Sequence, residues 1–379
     1  MNYFLTKEAV IKWLETPSIY QIRTDELYEL DDASFEFLKK CGSEDGCQSE
    51  DRDFIDYCLT EGLLTTKEVS AKRPPLIKSP APSLRYLELQ ITDRCNLRCR
   101  HCYIKGKTPQ ELSVEQIIEI LKEFEEMQGL RLMITGGEPL LHSDFAALNN
   151  ILPAFRIRKV LFTNGLLLNK ALLRGLNVDE IQISIDGLEK GHDALRGSGT
   201  FSKALRAVRL AKETGFEVSV ATMVHAKDLE DFDDMEKLFS ELKIKDWTVD
   251  VPCITGRLKD SAEFQVPPEV GGKYLRYGYG AGLHAGETGF GCGLHLLSVM
   301  ADGKVTKCTF YSDRPVGQIK DGLRNCREKI IPVSLKDLSC DCPYLESCRG
   351  GCRYRAELLG DPLGKDLYKC FLRDILKET

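Results

Sequence analysis

A chain of 379 residues, 42% hydrophobic and 29% charged, can bury a substantial core; wholesale disorder is excluded, and one large domain or two to three ordinary ones fit. A formal net charge of −6 argues against a general nucleic-acid binder, because such proteins present a basic surface to phosphate. No apolar run approaches the roughly 18 residues needed to cross a bilayer, and Met1-Asn2-Tyr3-Phe4-Leu5-Thr6-Lys7-Glu8 lacks the basic-then-apolar pattern of a secretory signal. The expectation is a cytoplasmic protein with neither a nucleic-acid nor a membrane partner.

Residues 1–63 read as a small winged-helix-like module. Ser18 to Leu30 alternates enough for two short strands around a turn at Thr24-Asp25, and helical spacing follows over Ala33–Lys40 and Asp51–Leu59. An irregular extension packed on the main domain is the alternative. Residues 64–83 hold four prolines (Pro74, Pro75, Pro80, Pro82) among lysines and serines, the composition of a linker. From Leu84 strand and helix patterns alternate. Strands are predicted over Leu84–Ile91, Leu132–Thr135, Val160–Thr163, Ile181–Ile185, Glu217–Thr222 and Thr248–Val251. Ser113-Val114-Glu115-Gln116 has the capping-box form and opens a helix whose Ile117, Ile118, Leu121 and Phe124 share a face. Further helices are predicted near Phe145–Leu152, Lys170–Leu176, Phe201–Thr214 and Leu229–Leu242. This order implies an α/β fold with a parallel sheet and a ligand site at the C-terminal ends of its strands. From about residue 285 glycines, cysteines and short strands take over, with a hairpin predicted from Leu296–Met300 and Lys304–Cys308 around Ala301-Asp302-Gly303.

Fifteen cysteines are too many for packing alone, and their number is odd. In a reducing compartment dense cysteine points to metal or redox chemistry rather than disulfides. Three lie at Cys95, Cys99 and Cys102, on the loop after the strand predicted over Leu84–Ile91, and eight lie between Cys292 and Cys370. Three thiolates at C-x3-C-x2-C can wrap one face of a 4Fe–4S cubane and leave its fourth iron open. A zinc site would want a fourth protein ligand, for which His101 inside the tight loop is poorly placed. Cys41, Cys47 and Cys58 lack ligand spacing and read as packing residues.

Cys95, Cys99 and Cys102, followed by Tyr103, resemble the signature of the radical S-adenosylmethionine superfamily. The resemblance extends along the domain: Gly136-Gly137-Glu138-Pro139 is similar to the family segment that receives the methionine amino group, Thr163-Asn164-Gly165 and Ser184-Ile185-Asp186-Gly187 end their strands as in the family, and His192 to Gly197, with Arg196, follows. Each segment has an ordinary reading too: Gly136-Gly137 as a plain turn, Ser184-x-Asp186-Gly187 as a common strand exit, His192 as a structural bridge, Arg196 as a surface ion pair rather than a clamp on the cofactor carboxylate. The resemblance implies a partial (β/α)6 TIM-like barrel over residues 84–255, a 4Fe–4S cluster that binds S-adenosylmethionine, a 5′-deoxyadenosyl radical as the reactive species, and reduced flavodoxin or ferredoxin as electron donor. It implies cofactor contacts at Tyr103, Gly136, Gly137, Glu138, Pro139, Asn164, Ser184, Asp186 and Arg196.

Residues 256–379 resemble the SPASM extension of peptide- and protein-modifying radical enzymes. Cys292-x10-Gly303-x4-Cys308 and Cys342-x5-Cys348-x3-Cys352 fit its pattern, while Cys340-x-Cys342 shortens the family's C-x2-C step. One or two auxiliary 4Fe–4S clusters are implied. One would use Cys292, Cys308 and Cys352 with an open fourth position. The other would use Cys342, Cys348 and Cys370 with Cys340. Cys326 could complete either, and Cys253 is a further candidate or else a buried thiol. A zinc-ribbon-like structural site is the alternative for the whole block. The N-terminal module is similar to leader-binding domains of peptide maturases, which add a peptide to a sheet edge; residues 64–83 would then be a tether. The reading is a maturase that modifies a ribosomally made precursor peptide. The alternatives are an anaerobic sulfatase maturase or a small-molecule cofactor-biosynthesis enzyme. No catalytic acid or base is legible.

Overall fold

The computed structural model describes residues 1–71, 73–104, 109–280, 282–284 and 288–373. In the N-terminal module, β1 (Phe4–Leu5) precedes β2 (Ala9–Trp13), β3 (Pro17–Gln21) and β4 (Glu26–Glu29), which form an antiparallel sheet in the order β2-β3-β4. The predicted pair of strands is therefore the inner and one outer strand of three, with β2 missed. Helices α1 (Asp32–Cys41) and α2 (Arg52–Thr60) start where Asp31 and Asp51 accept the Ser34 and Phe54 amides at 2.7 and 3.1 Å, each satisfying an amide the helix itself cannot. Strand β5 (Leu64–Thr65) returns to pair with β1. Cys41 and Cys58 lie in the module's core with Leu5, Ile19, Leu38 and Ile55, as packing residues should.

Residues 64–83 are not a free tether. The Ser79 amide donates to Trp13 O at 2.8 Å and its hydroxyl to Met127 O at 3.1 Å, while Arg73 donates to Leu5 O and Ala9 O at 2.9 and 3.0 Å. Near its end the Ser83 amide and Arg85 Nη2 donate to the Glu15 carboxylate at 2.6 and 2.8 Å. Proline and lysine content predicted mobility; the hydrogen bonds of the flanking elements override it. The module itself is seated on the barrel. Val10, Leu14, Tyr20 and Ile22 pack on Leu130, and Lys12 Nζ donates to Gly129 O at 2.7 Å. Arg158, fully buried, donates to Ile22 O and Arg23 O, each at 2.7 Å, while Tyr20 and Arg131 both donate to the Asp25 carboxylate.

The six predicted strands are β6 (Tyr86–Thr92), β7 (Arg131–Gly136), β8 (Arg158–Thr163), β9 (Glu180–Ser184), β10 (Glu217–Met223) and β11 (Trp247–Asp250), all parallel and in sequential order. Between them run α3 (Val114–Glu126), α4 (Phe145–Ile151), α5 (Lys170–Arg174), α6 (Glu189–Arg196), α7 (Thr200–Glu213) and α8 (Phe232–Glu241), the arrangement of a partial (β/α)6 barrel. The capping box on α3 forms as predicted, and its buried face is Ile117, Ile120, Leu121 and Phe124, with Ile118 only half-buried. On β6, Leu87, Leu89 and Ile91 join the helix-covered core, which turns the alternate residues Glu88 and Gln90 the other way, into the barrel.

The cysteine-rich region continues this sheet. After α9 (Pro268–Tyr274), β12 (Leu296–Val299) pairs parallel with β6, and β13 (Lys304–Thr306) and β14 (Gly317–Gln318) follow antiparallel, giving nine strands in the order β11-β10-β9-β8-β7-β6-β12-β13-β14. The short helices α10 (Leu323–Glu328), α11 (Leu345–Cys348), α12 (Arg353–Leu358) and α13 (Leu367–Leu372) complete the chain's described part. Among the described residues no helix is long and apolar enough to cross a membrane.

Candidate active site

A cavity of about 310 Å3 opens at the C-terminal ends of the parallel strands. Its wall is built in strand order: Glu88 from β6, Thr135 and Gly136 from β7, Phe162 and Thr163 from β8, Gln182 and Ser184 from β9, and Ala221 and Met223 from β10. Cys95, Cys99 and Cys102 all line it, on the loop that leaves β6. Backbone contacts fix that loop. Gly137 N and Glu138 N donate to Thr92 O and Arg94 O at 2.8 and 2.7 Å, Arg100 N to Leu195 O at 2.9 Å, and Arg257 N to Cys102 O at 2.9 Å. The glycines of the Gly136-Gly137 pair are needed for close approach and not for positive φ: a Cβ on Gly137 would lie 2.4 Å from Arg94 O, and neither residue has positive φ.

Glu138 and Pro139 do not reach the cavity wall. The Glu138 carboxylate turns into the protein and accepts Thr163 Oγ1 and Asn164 N, both at 2.8 Å, tying the exit of β7 to that of β8. Asn164, so placed, lines the cavity and donates through Nδ2 to Asn96 Oδ1 at 2.8 Å. Asp186 and Arg196 line it too and form a buried pair, Nε to Oδ2 at 2.5 Å. Burial alone would raise the Asp186 carboxyl; the Arg196 guanidinium, His101, His192 and the Met223 amide together outweigh burial and hold it far below the ordinary carboxylate range. The surface reading of Arg196 thus gives way. His192 is the structural bridge: buried, it accepts the Asp186 amide at Nδ1 and meets Phe201 edge-on. Tyr103 lines the cavity beside Phe310, with ring centroids 6.1 Å apart.

Two further residues complete the wall, Glu88, which the sequence reading missed, and Cys253, which it held as a candidate ligand or a buried thiol. Glu88 is a half-buried residue whose carboxylate accepts from Ser298 Oγ and from the Thr309 amide, and desolvation raises it above the ordinary glutamate value despite those hydrogen bonds. Its signal was present but unread, a glutamate at an inward position of an otherwise apolar strand. Cys253, at the exit of β11, also lines the cavity.

The C-terminal cysteines fall into two groups. Cys292 and Cys308 stand beside Cys352, whose thiol is in contact with that of Cys253. Cys340, Cys342, Cys348 and Cys370 form the other group. Cys326 belongs to neither. It sits in the main core on α10, its sulfur 3.6 Å from Gln318 O and 2.6 Å from the position a Cβ on Gly317 would take. Spacing alone made it a ligand candidate; the fold turns it inward among apolar side chains.

Residues 89–239 match the family profile described as the Radical SAM superfamily. The chain carries a radical SAM domain. An AdoMet-dependent heme synthase of Oleidesulfovibrio alaskensis is 31% identical over 192 residues, 48% of this chain and 50% of that protein. The mycofactocin maturase MftC of Mycolicibacterium smegmatis is 33% identical over 159 residues, 40% of this chain and 41% of that protein. The chain thus spans about half the length of the curated relatives it matches, or less. Among solved structures, Streptococcus suis SuiB bound to S-adenosylmethionine superposes with a TM-score of 0.69 at 14% identity, covering 97% of this chain and 100% of that one. The structure of anSMEcpe with bound AdoMet and a Cp18Cys peptide gives 0.61 at 21% identity, covering 77% and 95%. These likenesses establish a shared fold.

The radical SAM domain's donor set fits the cofactors the family uses. Three thiols share one cavity wall, and burial raises the Cys99 thiol above its ordinary value, so a thiolate there needs a bound cation. Cys95, Cys99 and Cys102 would hold a 4Fe–4S cluster. Asn164, Ser184, Asp186 and Arg196 offer the mixed donors, acceptors and charge that a zwitterionic amino-acid ligand such as S-adenosylmethionine requires.

Proposed function

We propose that this protein is a radical S-adenosylmethionine enzyme that modifies a ribosomally made precursor peptide by hydrogen abstraction and crosslink formation. The observation that carries the reading is one cavity walled by three groups at once: the Cys95 loop, the Asn164–Asp186–Arg196 polar set, and residues of the cysteine-rich block, Thr309 and Phe310. Bound there, a cluster with S-adenosylmethionine supplies one-electron, hydrogen-abstracting chemistry. The chain's own residues do the rest. Clamping of the Cys95 loop by Gly137, Glu138 and Arg257 fixes the thiols, and the Asp186–Arg196 pair keeps a full charge of each sign at the cofactor's edge. Glu88, a carboxyl with a raised pKa in the wall, can take a proton at its carboxylate from a substrate heteroatom as a bond forms there.

The peptide half of the reading is supported by the module at residues 1–63. In its three-stranded sheet β4 pairs only with β3 among the described strands, so its other edge can take a leader strand. Streptococcus suis SuiB bound to its precursor peptide SuiA superposes over 97% of this chain, module included. Small-molecule synthesis is favoured by the heme synthase relative, yet that match stops at about half of either chain. Reduced flavodoxin or ferredoxin is the proposed electron donor. The proposed location is a reducing compartment, the cytoplasm, supported by cysteine clustering that suits metal ligation rather than disulfides. The test is anaerobic incubation of the reconstituted protein, dithionite and S-adenosylmethionine with the small peptides encoded beside its gene, read by mass spectrometry. A mass loss confined to one peptide's core supports the reading. Turnover of a tetrapyrrole with none of any peptide would overturn it.

A further inference from the structure

Of the two thiol groups in the cysteine-rich block, the one built on Cys292, Cys308 and Cys352 lacks a fourth ligand from the block itself. We propose that Cys253, which the barrel and not the cysteine-rich block contributes, is the fourth ligand of the auxiliary cluster held by Cys292, Cys308 and Cys352. The inference rests on the reading that this block holds iron–sulfur clusters, and it assigns this chain's own residues to one of them.

Three observations place Cys253 next to the other three thiols, which neighbour one another. Cys253 touches Cys352 thiol to thiol. The Arg353 amide, at the start of α12, points at the Cys292 sulfur, and the Arg355 amide points at the Cys352 sulfur, so one helix turn gathers two of the four. Cys253 lines the same cavity as Thr309 and Phe310, the two residues that follow Cys308. The juxtaposition is held rigidly. Arg355 is buried and its Nη1 donates to Asp250 Oδ1 at 2.5 Å and to Val251 O at 2.9 Å, on the segment leading into Cys253; its Nη2 reaches Asp366 Oδ2 at 2.9 Å. The same Asp366 oxygen accepts the Cys352 amide at 2.7 Å. A bidentate guanidinium between two carboxylates is among the strongest polar ties a protein makes, and here it locks the exit of β11 to the thiol-bearing start of α12.

The consequence is chemical. With Cys253 included, each group in the block has four thiols: Cys253, Cys292, Cys308 and Cys352 in one, Cys340, Cys342, Cys348 and Cys370 in the other. A cubane takes one thiolate per iron. Neither cluster then has an iron free for a substrate thiolate, so the cluster beside the cavity is an electron carrier and not a substrate-binding site.

The test uses the full-length protein with Cys95, Cys99 and Cys102 replaced by Ala, which removes the first cluster and leaves the auxiliary iron visible alone. Parent and Cys253→Ala are reconstituted anaerobically, and each is examined by Mössbauer and electron paramagnetic resonance spectroscopy before and after added cyanide. The expected result is that one of two auxiliary signals changes in Cys253→Ala and that cyanide shifts the changed signal, while leaving the parent untouched. A parent that carries cluster iron and a variant with the same two signals, insensitive to cyanide, overturns the proposal and leaves the maturase reading standing. A parent with zinc and no iron overturns the proposal and the reading of this block as an iron–sulfur domain. Alkylation provides a measurement that needs no variant: iodoacetamide should label Cys253 in the metal-free protein and spare it in the loaded one, followed by peptide mapping. Equal labelling in both states refutes the assignment.

Discussion

Substituting Glu15 by Gln tests whether the N-terminal module is fastened to the barrel. Glu15 lies between β2 and β3, and its carboxylate takes the Ser83 amide at 2.6 Å, the Ser83 hydroxyl at 3.0 Å and Arg85 Nη2 at 2.8 Å. Burial alone would raise its pKa; the Ser83 amide and Arg85 outweigh burial and bring it down to about 2 from the ordinary 4.5. At 1.36 kcal/mol per unit of pKa, this difference amounts to about 3 kcal/mol of stability at neutral pH. The sign follows from linkage. A carboxyl depressed in the folded state stabilises above its unfolded pKa, and that contribution falls away as pH drops through the folded value. The excess stability of wild type over Glu15→Gln should therefore be about 3 kcal/mol at pH 6.5, roughly half of that at pH 3, and nearly nothing at pH 2. The chain has two tryptophans, Trp13 in the module and Trp247 in the barrel, so fluorotryptophan labelling gives one 19F resonance for each. Urea titrations at each pH, followed at the Trp13 resonance, measure the seam. A difference between the proteins that stays constant from pH 6.5 to pH 2, or is absent at pH 6.5, would refute the docking argument.

Two further outcomes follow from the site. Gly137→Ala drives a Cβ to within 2.4 Å of Arg94 O and should displace the Cys95 loop, abolishing iron uptake at the first cluster, whereas Gly175→Ala, whose nearest neighbour is 3.9 Å away, should load normally; iron analysis on a background lacking the C-terminal thiols reads both. Arg196→Met strands the buried Asp186 carboxylate, and breaking such pairs costs about 3–5 kcal/mol, so the melting temperature should fall and Asp186→Asn on top of it should restore part of the loss. A double variant as unstable as the single one would show that the pair's charges are not what the site depends on.

The parts of this protein that were legible in the sequence are those whose physics is local. Ser113 and Gln116 cap α3 because both partners lie within one turn, and the six barrel strands fall within a few residues of their apolar runs. Cys95, Cys99 and Cys102 are brought together by a single loop, so their spacing already describes their meeting. What escaped depends on distant chain segments. Whether Pro74 to Ser83 is loose or fastened is decided by Trp13, Met127 and Glu15, none of them nearby in sequence. Cys253 and Cys352 are separated by some hundred residues and meet only because Arg355 grips the exit of β11. Cys326, at a plausible spacing, is turned away by the helix that carries it.

The pairing of β12 with β6 bears on how separable the two halves of the chain are. In the six barrel strands taken alone, β6 would be an outer strand, seven residues long and rich in Leu and Ile, with its backbone donors and acceptors bare along one side. Such an edge invites pairing with other molecules and aggregation. β12 covers it from Tyr86 to Leu89, and Ser298 and the Thr309 amide satisfy the inward carboxylate of Glu88. The cysteine-rich region is therefore no cassette that could be trimmed away or exchanged at a boundary near residue 256. It completes the sheet on which the first cysteine loop is mounted, and a shortened chain ending at the barrel would lose solubility before it lost any chemistry.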